Sequence, residues 1–341
     1  MNYTDLKNND VYIFGYGALG RKVYKILNEY DIKCLGYIDN HKNNLLKLQD
    51  IQNKEAIILV ASINYMYEIY QQCVNAGFKN FLLFPDLIKM FPELEAFNDA
   101  FNGLFTDYAK NRTKYDNLYK LFTDKKSLEV LDGIIEFRKT TDYTIFNRIK
   151  SDSEEQYFNN LIPIEQVGVL VDGGAYIGDS AESFIKFNPH YKKIYCFEPD
   201  EQNYDLMCRN LNKYSNIKYY KNGLSDKPKQ AFFSNDNTGS KIIENAPNII
   251  ECVALDDIVT ENKVMIKLDI EGAEPEALNG AQRLIKNSSV LAICVYHKPE
   301  HLYTIPEQIK KINPNYHFYL RHYTNTIFET VLYAIPLERN N

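Results

Sequence analysis

Hydrophobic and polar positions follow two different periods in the N-terminal part of the chain. Four short apolar segments (VYIFG, KCLGYID, AIILVAS and FLLFP) alternate with segments whose apolar residues recur every three or four positions (RKVYKILNEY and YMYEIYQQCVNAG). The short segments are typical of buried strands, and the longer period is typical of amphipathic helices. We therefore predict a small Rossmann-like domain over residues 1–86, with a parallel sheet covered by helices.

Strand patterns nearly vanish from the sequence over residues 87–164. Phe97, Phe101 and Phe105 recur there at intervals of four, a spacing that predicts helices with an apolar stripe. Such a stripe is typical of packing in a core or between domains, and an aromatic platform for a substrate is the alternative. We predict a helical connector between two domains.

The alternation of apolar and amphipathic segments resumes over residues 165–338 and is stronger. Nine segments there predict strands, and helical patterns lie between most of them: VGVLVDGG, KKIYCFEP, IKYYKNG, AFFSN, IIECVAL, VMIKLDI, VLAICVY, YHFYLRH and TVLYAIP. The chain as a whole is therefore expected to be an α/β protein whose C-terminal sheet is Rossmann-like, with helices on both faces.

Composition and charge exclude several classes of protein. The 341 residues, 45% of them hydrophobic, can form two domains, and the formal charge of −6 comes without a basic cluster, so we expect no nucleic-acid partner. No apolar run approaches the roughly 20 residues of a membrane span, and the N-terminus lacks the pattern of a signal peptide. Six scattered cysteines without a CxxC pair argue against a zinc cluster or a disulfide framework. We expect a cytoplasmic protein without a membrane span and leave homo-oligomerisation open.

The first strand of the C-terminal sheet ends in a glycine-rich turn, VDGGAYIGDS. Gly173, Gly174 and Gly178 let the backbone approach a ligand closely, although each could equally belong to an ordinary tight turn. Asp172, at the end of the strand, would repel a pyrophosphate but suits an ammonium or sulfonium cation. The turn thus favours a cationic ligand over a dinucleotide.

The next two strands end in polar residues that fit an adenosine. Glu198 lies 20 residues past Gly178, where an acid can accept both hydroxyls of a ribose. The third strand closes with the polar turn NGLSD, which contains Leu224 and Ser225 and lies at the edge where an adenine ring would be expected.

These segments together resemble a known family. VDGGAYIGDS, YCFEPD, NGLSD, VALDDI and KLDIEGAEPEALNGA occur in the order and spacing of the FkbM-type S-adenosylmethionine-dependent methyltransferases, and SEEQYF is similar to the family's lead-in. The resemblance covers about residues 150–336. It implies a class I methyltransferase fold, S-adenosylmethionine as cofactor, and O-methylation of a small-molecule or glycan acceptor, often a sugar of a surface polysaccharide or its precursor.

The resemblance also implies roles for individual residues. The methionine end of the cofactor would lie against the turn that contains Asp172, Gly173, Gly174 and Gly178. Glu198 would hold the ribose, and Leu224 and Ser225 would flank the adenine.

Acidic residues crowd the end of the strand VMIKLDI. Asp269, Glu271 and Glu274 precede a helix that Pro275 opens, and carboxylates this close raise a pKa or call for a cation. In one interpretation Asp269 faces the cofactor while Glu271 or Glu274 contacts the acceptor; the alternative for Glu274 is a charge at a helix N-terminus. Asp269 and Glu271, with Asp256 and Asp257, could alternatively bind a divalent metal, and the sequence does not decide this.

Methyl transfer to a hydroxyl needs a base. His297, just past the strand VLAICVY, is at the same predicted edge as Asp269, and we take it as the candidate base. A structural histidine is the alternative for this position. Asp269, Glu271 and Asp256 are competing bases.

The N-terminal domain carries a second glycine-rich turn. Gly15, Gly17 and Gly20 lie between a predicted strand and a predicted helix, and Asp39 follows 19 residues later. This context fits a dinucleotide fingerprint, and the segment resembles small N-terminal domains of bacterial sugar-modifying enzymes. A nucleotide-sugar, NAD(P) or no ligand at all are the alternatives. An NAD(P)-dependent oxidoreductase and a non-catalytic binding scaffold are accordingly the rival functions.

Overall fold

The computed structural model describes residues 1–163, 167–236, 239–242 and 248–337. The chain divides into two compact units: residues 1–105 with 136–145, and residues 106–135 with 146–341. The predicted first domain, residues 1–86, lies in the first unit, and the predicted third domain, residues 165–338, lies in the second. The residues of the predicted connector, 87–164, are divided between the two units.

The first unit contains the predicted parallel sheet. Its strands lie in the order β2-β1-β3-β4 and are all parallel; they are β1 (Val11–Phe14), β2 (Cys34–Ile38), β3 (Ile57–Val60) and β4 (Phe81–Leu82). The helices near this sheet in the chain are α1 (Tyr3–Asn8), α2 (Ala18–Glu29), α3 (Met66–Asn75) and α4 (Phe84–Met90). Strand β3 is buried along its whole length, as its continuous apolar sequence predicts.

Helices follow β4, as the aromatic spacing predicts. They are the short 3-10 helices Pro92–Phe97 and Asp99–Phe101, then α5 (Leu104–Lys110), α6 (Arg112–Leu121), α7 (Lys125–Thr140) and α8 (Thr144–Ile149). Phe101 is fully buried and packs edge-to-face on Phe84 at 4.8 Å between ring centroids. At this position the aromatic stripe is core packing.

The second unit is built on a seven-stranded sheet in the order β14-β15-β13-β12-β5-β6-β7. Its strands are β5 (Val169–Gly173), β6 (Lys193–Phe197), β7 (Ile217–Tyr220), β12 (Met265–Leu268), β13 (Val290–Cys294), β14 (Tyr316–His322) and β15 (Thr330–Pro336). The helices connected to them are α9 (Asp179–Phe187), α10 (Glu201–Leu211), α11 (Leu255–Ile258), α12 (Glu274–Asn279), α13 (Gln282–Lys286) and α14 (His301–Ile312). Helices cover both faces, so the α/β prediction is confirmed.

Strand direction decides which residues meet at one edge of this sheet. Strands β13, β12, β5, β6 and β7 are parallel, whereas β15 is antiparallel to β13 and pairs Val331 with Cys294. The start of β15 therefore lies at the edge where the parallel strands end. Open α/β sheets hold their ligands at this edge.

A second, smaller sheet is formed by the segment between β7 and β12. It has the order β10-β9-β11-β8, with β8 (Gly223–Leu224), β9 (Lys229–Asp236), β10 (Gly239–Ile242) and β11 (Asn248–Val253). Phe233 and Ile250 belong to one apolar cluster of this sheet, while Phe232 and Ile249 are exposed. Across the described ranges, no helix combines the length and apolar character needed to cross a membrane.

Candidate functional site

A cavity of about 610 Å³ opens where strands β5, β6 and β12 end. Its volume is in the range of small-molecule sites. Residues that follow β5 and β6 line it, as do residues of the acidic segment after β12. Phe233 and Ile250 of the smaller sheet also belong to the lining. Five acidic side chains and one lysine are in its wall, so the charge of the cavity favours a cationic ligand: Asp179, Glu198, Asp269, Glu271 and Glu329, with Lys267.

Glu198 is held at the end of β6 by two backbone hydrogen bonds. Its Oε2 accepts from the N–H of Tyr176 at 2.9 Å, and its Oε1 accepts from the N–H of Asp200 at 2.9 Å. Each oxygen keeps a second acceptor position, so the carboxylate can still accept two hydroxyl protons. Burial raises the pKa of Glu198 to about 7, while the two N–H groups oppose the rise. This geometry fits the predicted contact with a ribose.

The residues predicted to flank an adenine divide into two groups. Leu224, together with Asn222 and Phe197, lines the cavity. Ser225 is fully buried outside the lining and donates to Asp226 at 3.0 Å. Leu224 therefore lies at the cavity and Ser225 does not, and the contact of an adenine ring with Leu224 stays a prediction.

Glycine is required at Gly174 for two reasons. Its φ is +74°, and a Cβ there would lie 1.9 Å from the carbonyl oxygen of Asp269. Gly174 lines the cavity, whereas Gly173 and Gly178 are outside its lining. Gly178 has a φ of +91° and precedes α9. Of these three glycines, Gly174 is the one whose backbone lies at the cavity.

Asp172 lies beneath the cavity and is paired with a lysine. It is completely buried, and its Oδ1 is 3.0 Å from Nζ of Lys267, its neighbour across the parallel strands β5 and β12. Burial raises the pKa of Asp172, while Lys267 opposes the rise. The charge of Asp172 is thus balanced by Lys267 within the protein. Asp172 is outside the cavity lining, so the structure does not support the predicted direct contact with a ligand cation.

Lys267 in turn connects this pair to the glycine turn. Its Nζ donates to the carbonyl oxygens of Gly174 at 2.8 Å and Gly173 at 3.4 Å. It also lies 5.2 Å from the ring centroid of Tyr157. A lysine within the apolar segment VMIKL was the sequence signal for this buried pair, because a charge inside a strand needs a partner.

The acidic segment after β12 separates into exposed and buried residues. Asp269 and Glu271 line the cavity, and Glu271 has a left-handed backbone with φ of 54°. Glu274 is fully buried and its Oε1 accepts from the N–H groups of Ile270 at 3.0 Å and Gly272 at 3.3 Å. Pro275 lies in the first turn of α12, as predicted. Glu274 therefore shapes the turn, and Asp269 and Glu271 are the acids of this segment that line the cavity.

His297 is buried among these carboxylates. Its Nδ1 is 2.9 Å from Glu274, and its Nε2 is 3.3 Å from Asp269 and 3.5 Å from Glu271. Burial alone would lower the pKa of His297, but Glu274 above all, then Asp269 and Glu271, raise it to about 10. The surrounding carboxylates therefore favour the protonated ring at neutral pH. A protonated imidazole has no lone pair to accept a proton, so this environment argues against His297 as the general base, a role that stays a prediction.

The acids predicted as an alternative metal site do not gather at one point. Asp256 accepts from the N–H groups of Arg283 at 2.7 Å and Leu284 at 3.2 Å and is outside the cavity lining, as is Asp257. Asp256 therefore anchors the start of α13. Because Asp256 lies outside the cavity lining, it is also not placed to act as a base there.

The cavity wall near Asp269 contains polar residues that were not among the predicted site residues. Gln156, Tyr157 and Glu329 line the cavity, and Tyr296, outside the lining, donates to Asp269. Asp269 accepts from the hydroxyls of Tyr157 at 3.0 Å and Tyr296 at 2.9 Å. Glu329 immediately precedes β15, so its place follows from the antiparallel direction of that strand. An acid directly before a final strand was the available signal, but the sequence did not give the direction of the strand.

The N-terminal turn forms the strand-turn-helix unit that its glycines predict. Gly15 has a φ of +113°, and a Cβ on Gly20 would lie 1.9 Å from the carbonyl oxygen of Gly15. Oδ2 of Asp39 accepts from the N–H of Tyr16 at 3.2 Å, while Oδ1 accepts from two further N–H groups. Gly17 precedes α2. A nucleotide-sugar or NAD(P) at this turn stays a prediction.

Comparison with known families finds a match to part of the second unit. The family model described as the methyltransferase FkbM domain matches residues 172–323. No curated protein matches the chain. The resemblance inferred from the motifs is thereby confirmed over the matched residues, which contain all the C-terminal candidate residues that the sequence predicted.

The whole chain is similar in fold to a solved methyltransferase. The crystal structure of the FkbM methyltransferase from Methylobacillus flagellatus KT has a TM-score of 0.80 and 21% sequence identity, over 97% of this chain and 92% of that one. A methyltransferase from Geobacter sulfurreducens has a TM-score of 0.35 and 12% identity, over 65% of this chain and 95% of that one. A putative rRNA methylase from Clostridium thermocellum has a TM-score of 0.34 and 11% identity, over 52% and 90%.

Proposed function

We propose that the FkbM methyltransferase domain of this chain transfers a methyl group from S-adenosylmethionine to a hydroxyl group. The acceptor would be a sugar of a surface polysaccharide or of its precursor. The observation that carries the proposal is the convergence of Glu198, Gly174 and Asp269, from three different strand ends, on one cavity. The sugar as acceptor rests on the family resemblance alone.

The lining and the charge of the cavity support the proposed cofactor. Glu198 would accept the two ribose hydroxyls, Leu224 would contact the adenine, and the backbone of Gly174 would allow close approach of the methionine part. When bound, the cofactor supplies an activated methyl group on a positively charged sulfur. The surplus of acids in the cavity wall would attract that positive charge.

The protein itself would align the acceptor with the methyl group and accept the proton of the acceptor hydroxyl. Methyl transfer needs an acceptor oxygen held in line with the methyl carbon and a group that takes the hydroxyl proton. Asp269 and Glu271 lie at the cavity wall, where an acceptor hydroxyl could donate to them. His297 behind them would keep both carboxylates charged.

Two measurements on the purified chain test the proposal. Isothermal titration should show S-adenosylhomocysteine binding at one site per chain, with NAD, NADP and nucleotide-sugars as parallel ligands. Tritium from methyl-labelled S-adenosylmethionine should then move to at least one nucleotide-sugar or glycan in a panel of acceptors. Absence of S-adenosylhomocysteine binding would overturn the cofactor, and transfer to non-sugar hydroxyls alone would overturn the acceptor.

A matched variant makes the binding measurement specific. Glu201 is exposed, begins α10 and pairs with Lys221 at the surface. Glu201→Gln should bind S-adenosylhomocysteine like the wild type. If NAD or NADP binds in place of the sulfur ligands and NADH is oxidised on addition of a substrate, the oxidoreductase alternative replaces the proposal.

A further inference from the structure

We propose that Glu329 is the general base that accepts the proton of the acceptor hydroxyl, an inference that rests on the proposed methyl transfer. The candidate is a glutamate in the cavity wall, contributed by the strand of the sheet that runs against the others. The inference would replace His297, whose ring nitrogens both face carboxylates.

The position of Glu329 along the sheet edge places it beyond the cofactor residues. In the order β15-β13-β12-β5-β6, Glu198 follows β6, Gly174 follows β5 and Asp269 follows β12. Glu329 precedes β15, two strands past β12. A carboxylate oxygen of Glu329 and one of Asp269 lie within 4.8 Å of each other. Adenosine and methionine would fill the β6 and β5 side, so the acceptor would lie on the side of Glu329.

The side chain of Glu329 accepts a hydrogen bond from Gln156 and shares the hydroxyl of Tyr296 with Asp269. Oε2 accepts from the side-chain amide of Gln156, and Oε1 lies 3.3 Å from the hydroxyl of Tyr296. That hydroxyl is also 2.9 Å from Asp269, so Tyr296 can donate to either carboxylate. The backbone of Glu329 is left-handed, with φ of 62°. A non-glycine residue held in this strained region often marks a functional site.

The surroundings of Glu329 suit proton transfer near neutral pH. Burial raises the pKa of Glu329 to about 7, and the Asp269 carboxylate adds to the rise; the hydrogen bond from Gln156 and the charges of His297 and Lys267 oppose it. The other titratable groups close by are Tyr157, Tyr296 and Cys294, whose pKa values burial raises well above their usual range, so they stay neutral. Asp269, by contrast, already meets the hydroxyls of two tyrosines and the ring of His297.

The step balances within the proposed reaction. The acceptor O–H bond breaks and its proton moves to the Glu329 carboxylate, while the oxygen electron pair forms the new bond to the methyl carbon. The electron pair of the broken carbon–sulfur bond stays on sulfur, which becomes neutral. Glu329 then returns its proton to solvent, and the protein ends the cycle unchanged.

The test compares Glu329→Gln with wild type, and Glu154→Gln, an exposed glutamate outside the cavity lining, serves as control. S-adenosylhomocysteine affinity should stay within threefold of wild type, and turnover should fall about 100-fold or more. Turnover of wild type and control should rise with pH through about 7, whereas the residual rate of the variant should not. Unchanged turnover, or equal loss of affinity and turnover, overturns the role of Glu329.

A second readout needs no acceptor. Infrared difference spectra of the free protein, titrated from pH 5 to 9, should show two carboxylic acids that ionise near pH 7 in wild type and control, Glu198 and Glu329, and only one of them in Glu329→Gln. A Glu329 that stays ionised down to pH 5 overturns the inference, because so weak a base gains little from a hydroxyl proton. If wild type itself does not bind S-adenosylhomocysteine, the proposed function fails first, which distinguishes the two failures.

Discussion

Nδ1 of His297 lies 2.9 Å from Oε1 of Glu274, and both side chains are buried. His301 contacts the other oxygen of the same carboxylate at 3.3 Å. The opposite nitrogen of His297 faces Asp269 and Glu271. One ring thus joins the buried start of α12 to the acids of the cavity wall, and its charge when protonated would balance theirs. The sequence left a base and a structural histidine as the alternatives for this position.

This pair predicts a fall in stability at alkaline pH. The pKa of His297 is about 10 in the folded chain against 6.5 as reference, so its stabilising contribution is complete below pH 6.5 and is lost progressively as pH rises to about 10. Urea unfolding between pH 7 and 10 should show that the free energy of unfolding falls with pH more steeply in wild type than in His297→Gln. The difference in slope should be up to about 1.4 kcal/mol per pH unit.

The control for this measurement is His317→Gln, an exposed histidine of β14. It should retain the wild-type slope. Parallel slopes in wild type and His297→Gln would mean that the ring is neutral in the folded chain, and its candidacy as a base would then reopen.

Gly174 predicts a loss of binding that backbone strain alone does not explain. Gly174→Ala would place a Cβ 1.9 Å from the carbonyl oxygen of Asp269, so β5 and β12 must separate at the cavity. Gly77 has a similar φ of +82° with nothing within 4 Å of its added Cβ. Both variants carry about 1–2 kcal/mol of left-handed strain. Calorimetry should show at least a tenfold loss of S-adenosylhomocysteine affinity in Gly174→Ala and none in Gly77→Ala; equal affinities would contradict the close contact.

The sequence predicted the fold and most of the strand ends correctly, because buried strands and amphipathic helices leave clear periods. It also predicted that Glu198, Leu224, Gly174 and Asp269 meet at one edge, since parallel strands end together. Those predictions needed the order and direction of strands, which the alternation of strands and helices supplies.

The sequence did not predict which buried side chains contact each other. Asp172 is paired with Lys267 because the register of β5 and β12 makes them neighbours, and no local pattern specifies that register. Glu329 reaches the cavity because β15 reverses direction, and the protonated form of His297 is favoured because Glu274 is buried against it. Each depends on contacts between residues far apart in the chain.

The pair Asp172 and Lys267 predicts a strong non-additive effect on stability. Lys267→Met leaves the Asp172 carboxylate buried without its cation and should destabilise the chain by about 3–5 kcal/mol. Adding Asp172→Asn removes the unpaired charge and should recover part of that loss. Urea unfolding of the two single variants and the double variant measures the coupling, and additive effects would contradict a buried ion pair.

Glu198 gives the prediction that most directly tests the cofactor site. Its carboxylate accepts from Tyr176 and Asp200 and faces the cavity, so Glu198→Ala should weaken S-adenosylhomocysteine binding by about 2–4 kcal/mol, roughly 30- to 1000-fold. Because burial raises its pKa to about 7, wild-type affinity should increase as pH rises from 6 to 8, when the stronger, charged acceptor forms. Glu198→Gln should lose that pH dependence. An affinity that follows pH equally in wild type and Glu198→Gln would assign the titration to another carboxylate of the cavity, and the ribose contact would then have to lie elsewhere.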